Sequence, residues 1–259
     1  MMVVHFRRIW SDRRLLICLI AAFFLATILS KPQVFPLEQI RSMELADLQV
    51  RFNISAFQNK SDYVNWYAMF IFLPELIGNS AAIVPAAVFD SYIVGGCLSK
   101  PVIMEQYAGT SRTLIAFRLY LTVIISGILF SLFLLIITLL VYGRECLQIL
   151  GATAWPRFLP ILGWRLFFDV SVFCLIALFA FISREMYISF CIGAMLAALT
   201  SILRLLQEEL WWFPTYALKK VIAYELSNPH LLAHVIPSIA ILIVTPMAGI
   251  VILKRSNLR

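Results

Sequence analysis

Residues 113–142 read TLIAFRLYLTVIISGILFSLFLLIITLLVY, with Arg118 as the single charge in the run. A helix that crosses a hydrocarbon core about 30 Å thick needs about 20 mostly apolar residues. This run exceeds that length, so it predicts a transmembrane helix that tilts or projects beyond the bilayer.

The rest of the chain agrees. It has 259 residues, 62% of them hydrophobic and 14% charged, and a mean hydropathy of +0.91. A soluble domain is about 45–50% apolar and about 25% charged. Six spans are expected, at about 15–30, 64–89, 113–142, 165–183, 186–206 and 233–253. The fold class read from this pattern is an all-α integral membrane protein with six transmembrane helices. The fourth and fifth spans are separated only by a very short turn around Arg184. The first span lacks an A-x-A-like cleavage site near Ser30, so it is expected to stay in place as a span.

Basic residues set the orientation. Arg7, Arg8, Arg13 and Arg14 precede the first span, and Lys254, Arg255 and Arg259 follow the last. Lys100 and Arg112 fall on the same side. The other side also carries basic residues, spread over longer loops and largely balanced by acids. The expectation is a multi-pass protein of the cell membrane with both termini cytoplasmic. Before the first span, Val3, Phe6 and Trp10 are spaced for one helix face, with His5, Arg7 and Arg8 around it. Residues 1–14 therefore read as a cytoplasmic interfacial helix, or as an ordinary basic terminus. The net charge of +7 is juxtamembrane in origin and gathers in no single patch, so nucleic acid is not an expected partner. The bilayer is.

On the outer side, Leu37–Phe52 mixes apolar and charged residues in a pattern that suits a short helix. Asn53-Ile54-Ser55 and Asn59-Lys60-Ser61 are glycosylation sequons. Trp211, Trp212, Phe213, Tyr216 and Tyr224 suit a segment at the outer interface.

Few residues point to chemistry. The five cysteines, Cys18, Cys97, Cys146, Cys174 and Cys191, form no C-x-x-C pair. His230 and His234 have the spacing for a shared metal on a helix face, but no local set completes it, and no metal site is assigned. No phosphate loop of the G-x-x-x-x-G-K-[ST] type is present, nor a G-x-S-x-G elbow. No catalytic residue and no cofactor are assigned to this chain.

Acids at membrane depth are costly and raise functional hypotheses. Asp169 follows Arg165 by four residues, so the two are expected to pair along one helix. Glu75 lies within the second span with Asn79 at i+4, beside Pro74 and Pro85. This polar, kinked face either lines a water-accessible translocation path or packs on another polar helix. Gly193, Ala197 and Ser201 recur every four residues and read as a close-packing face.

Between the second and third spans, Asp90 is followed by Gly95-Gly96, Lys100 and then Gly109-Thr110-Ser111-Arg112 before the long apolar run. Together with six spans and an interfacial first helix, this stretch resembles the permease subunits of type-2 ABC exporters. The ending VILKRSNLR resembles the basic tail of that family. Lys100 followed by Pro101, and Glu75 in the second span, depart from its pattern. The resemblance implies a transport subunit with the architecture of that family, not an enzyme. It implies a homodimer or heterodimer with another permease, and a separate ABC ATPase subunit that binds ATP and Mg. It also implies a cytoplasmic coupling loop in which Gly95, Met104, Glu105, Tyr107, Gly109, Thr110, Ser111 and Arg112 engage the ATPase. The cargo would be peptide, lipid-like or drug-like, with self-protection against an antimicrobial peptide as one role. The alternatives are a membrane-embedded enzyme acting on lipid or isoprenoid substrates, and a membrane assembly factor without transport.

Overall fold

The computed structural model describes residues 37–52, 58–67, 86–91, 94, 111–150, 155–183, 185–205, 213–214 and 231–255. The described elements are all helical. Three short helices come first: α1 (Leu37–Ser42), α2 (Leu45–Phe52) and α3 (Lys60–Trp66). Four long ones follow: α4 (Arg112–Leu150), α5 (Trp155–Ser183), α6 (Met186–Leu205) and α7 (Leu231–Arg255). A further helical segment covers 86–90.

Three stretches are long and apolar enough to cross a membrane: Arg112–Phe133 in α4, Gly163–Ser183 in α5 and Val235–Arg255 in α7. The six expected spans are thus reduced to three among the described residues. The span at 15–30 and the interfacial helix at 1–14 lie outside those residues, as does most of 64–89. Helix α6 runs 20 residues along the fifth expected span, and its apolar stretch described without a break is Tyr187–Leu196.

The long apolar run becomes one helix of 39 residues. At about 1.5 Å per residue it reaches about 58 Å, nearly twice the hydrocarbon thickness. Its last third carries Arg144 and Glu145 in sequence. Ser111 opens it as an N-cap, with its hydroxyl accepting from the Leu114 N–H at 3.3 Å.

Ring contacts give the helix directions. Tyr120 stacks on Phe181 at 4.9 Å, while Phe130 meets Phe173 at 6.2 Å. Rising numbers on α4 meet falling numbers on α5, so the two run antiparallel. Tyr120 meets Thr245, and Arg112 meets Lys254, so α7 also runs against α4. Helices α5 and α7 therefore run the same way, and they pack on each other. The chain reverses between Ser183 and Met186, at the short turn expected there, and sends α6 back.

Segment 86–91 packs antiparallel on α6. Ala87 lies against Gly193, and Ser91 against Ser189. A Cβ on Gly193 would collide with that of Ala87 and stand 3.0 Å from its Cα, so only glycine permits this approach. The packing face read from the sequence is thus used at Gly193.

The core is a single apolar cluster including Ala86, Ala87, Phe89, Ile115, Tyr120, Phe173, Ile176, Phe181 and Leu253. Phe213 joins it, so this residue turns into the bundle, whereas the sequence suited it to the outer interface. Towards the start of α5, Trp164, Phe167 and Phe168 form an aromatic group. Beside them Arg165 Nε donates to Asp169 Oδ2 at 3.3 Å, the expected pair.

Helices α1 to α3 form a small layer that meets the long helices where α3 touches α4. Ile40, Leu48, Tyr63 and Tyr67 are fully buried there, and the Tyr63 hydroxyl donates to the Leu48 carbonyl at 2.9 Å. The single short helix expected over Leu37–Phe52 is two helices, divided at Met43-Glu44.

Candidate functional site

One end of the bundle collects the start of α4, the turn between α5 and α6, the end of α7 and residues 86–91. Exposed Arg112, Glu185, Lys254 and Arg255 ring it. Arg112 donates to the Lys254 carbonyl at 3.2 Å. A cation at a helix C-terminus satisfies a free carbonyl and opposes the dipole, so this contact fastens the first turn of α4 to the last turn of α7.

Just inside this end lies a buried polar group. Asp90 and Ser91 are both buried. The Ser91 hydroxyl donates to the Ala87 carbonyl and lies 3.0 Å from the Ser189 hydroxyl. Among the described residues, neither side-chain oxygen of Asp90 has a hydrogen-bond partner. The sequence placed Asp90 at the start of a cytoplasmic loop. The structure instead holds it inside the bundle, with Val94 buried as well, because Ala86 and Ala87 let this segment lie close against α6. The only sequence signal for that burial was the apolar run AAIVPAAVF leading directly into the acid.

Deeper in, the Tyr120 hydroxyl donates to the Thr245 carbonyl at 2.8 Å. Thr245 precedes Pro246, one of two prolines inside α7. Pro246 removes the helical donor to the carbonyl four residues earlier, at Leu242, so the bond from Tyr120 to Thr245 ties α4 to α7 beside the break rather than filling it. The Thr245 hydroxyl donates in turn to the Ile241 carbonyl at 2.7 Å.

Of the expected coupling residues, Ser111 and Arg112 are described, and both are exposed at the shared end. In the structure Ser111 caps α4 and Arg112 clasps it to α7. Gly95, Met104, Glu105, Tyr107, Gly109 and Thr110 lie outside the described residues, as do Glu75 and Asn79. Among the described residues, no group of three or more His, Cys, Asp or Glu is placed to hold a metal. Comparison with family models, curated proteins and solved structures gave no match. The permease resemblance therefore rests on this chain's own residues.

Proposed function

We propose that this chain is the membrane-spanning permease subunit of an ATP-driven exporter of the type-2 ABC class. In this reading it has six spans with both termini in the cytoplasm. It pairs with itself or with a second permease, and a separate ATPase subunit binds ATP and Mg. The cargo is peptide, lipid-like or drug-like.

The observation that carries this reading is the placement of Ser111 and Arg112. Residues 95–110 lead in sequence into a helix 39 residues long. The first turn of that helix is clasped to the end of α7 through Arg112 and the Lys254 carbonyl. A push delivered at this point reaches two membrane helices together. That is the mechanical connection a coupling loop requires, since motion travels through packed rigid elements.

The test is co-purification of the ATPase with tagged full-length chain carrying Met104→Ala, Tyr107→Ala and Arg112→Ala, singly and combined. Apolar anchors at a protein interface are worth about 2 kcal/mol or more when truncated, over tenfold in affinity. The variants are expected to lose the ATPase, or to hydrolyse ATP without transport, while eluting normally on gel filtration. Full retention and full coupling in the triple variant would make the loop a mere connector and remove the reading.

A further inference from the structure

The strongest unexplained feature is Asp90. It is fully buried, and both of its oxygens lack a partner among the described residues. An ionised carboxylate taken out of water without donors or a counter-ion is strongly disfavoured, so something must neutralise it.

The surroundings restrict what that can be. From α4 the titratable group facing it is Tyr120, and from α5 it is Cys174, each close enough to interact with it electrostatically. Neither is a cation. The Tyr120 proton is already given to the Thr245 carbonyl on α7. From α6 comes Ser189, already within hydrogen-bond distance of Ser91. The basic groups at this end, Arg112, Lys254 and Arg255, are exposed, and no described donor hydrogen-bonds either side-chain oxygen of Asp90. A metal ion would need several further oxygen ligands. A proton needs no cavity and no ligand shell.

We propose that Asp90 is a proton-binding site. The carboxyl is carried as the neutral acid inside the bundle and exchanges its proton with the solution at the shared end, one turn of α6 away past Ser91 and Ser189. The proposal is independent of the ATPase-driven reading: it stands or falls on Asp90 alone.

The experiment is infrared spectroscopy of the purified full chain in phosphatidylcholine vesicles, comparing wild type with Asp90→Asn across pH. At neutral pH the wild type is expected to show a protonated-carboxyl C=O band that is missing from Asp90→Asn, with equal amide bands in both. The band should vanish reversibly as pH rises. Loss of ionised-carboxylate bands alone in the variant would overturn the proposal. So would a band that persists unchanged up to the alkaline unfolding limit. A second measurement uses wild type only, in case Asp90→Asn does not fold. A protonated carboxyl in apolar surroundings adds its O–H across a C=N bond of dicyclohexylcarbodiimide, the O-acylisourea rearranges to a stable N-acylurea, and peptide-resolved mass spectrometry locates the adduct. Modification at Asp90 that declines with rising pH is expected. An unmodified Asp90 at acidic pH would refute the site.

Discussion

Gly249 of α7 lies directly against the ring of Tyr120 on α4. A Cβ at position 249 would stand 2.5 Å from Tyr120 Cε2 and 2.9 Å from its hydroxyl oxygen. The missing side chain is what lets that hydroxyl reach the Thr245 carbonyl beside Pro246. Gly249→Ala is therefore expected to push the two helices apart, at a cost of about 1–3 kcal/mol for overpacking. Tyr120→Phe keeps the packing and loses one hydrogen bond, worth about 1 kcal/mol. Thermal unfolding in detergent should rank the wild type first, Tyr120→Phe second and Gly249→Ala last. Equal melting of Gly249→Ala and wild type would show that the contact is not made.

The meeting of Gly193 and Ala87 gives a reciprocal test. Gly193→Ala alone should loosen segment 86–91 from α6, because the new Cβ falls on the Ala87 side chain. Adding Ala87→Gly should restore much of the lost stability, since residues in contact are energetically coupled. Proteolysis at 86–91 reads the effect. Additive damage in the double variant would argue against the approach.

The antiparallel order of α4, α5 and α7 places Ser111, Glu185 and Arg255 at one end and Gly163 about 30 Å away at the other. In a cysteine-free background, cysteines introduced at the first three positions should share one labelling pattern towards an impermeant thiol reagent in intact cells. One at Gly163 should show the opposite pattern. Cytoplasmic termini further require that the group of three is the protected one. Labelling of only one or two of the three would break the helix order itself.

Tyr63 makes the small layer of α1 to α3 sensitive to alkali. Burial raises its phenol above the ordinary value of 10.0. A folded-state value above the unfolded one means that the contribution is complete below pH 10, and is lost as pH rises through the folded value. The stability of α1 to α3 should fall at strongly alkaline pH, and Tyr63→Phe should remove that dependence while costing about 1 kcal/mol at neutral pH through the lost bond to Leu48. Hydrogen exchange over residues 37–52 reports both effects. An unchanged alkaline response in Tyr63→Phe would assign it to another group.

The sequence by itself determined the features that depend on neighbouring residues. Apolar runs of bilayer length gave the long helices α4, α5 and α7, the break around Arg184 gave the reversal, and the i,i+4 spacing of Arg165 and Asp169 gave their pair. Each is encoded within a turn or a run of helix, where propensity and solvent preference act locally. The contacts that make the site were decided by tertiary structure alone. Arg112 and Lys254 are 142 residues apart, Tyr120 and Thr245 are 125 apart, and Ser91 and Ser189 are 98 apart. Helices that are apolar nearly all round carry no stripe to fix their rotation or partners, so neither the close approach at Gly193 nor the one at Gly249 could be assigned its partner from the sequence. The burial of Asp90 has the same origin. Its place at the end of an apolar run suits a water-facing loop equally well, and only the packing of Ala87 on α6 draws the carboxyl inside.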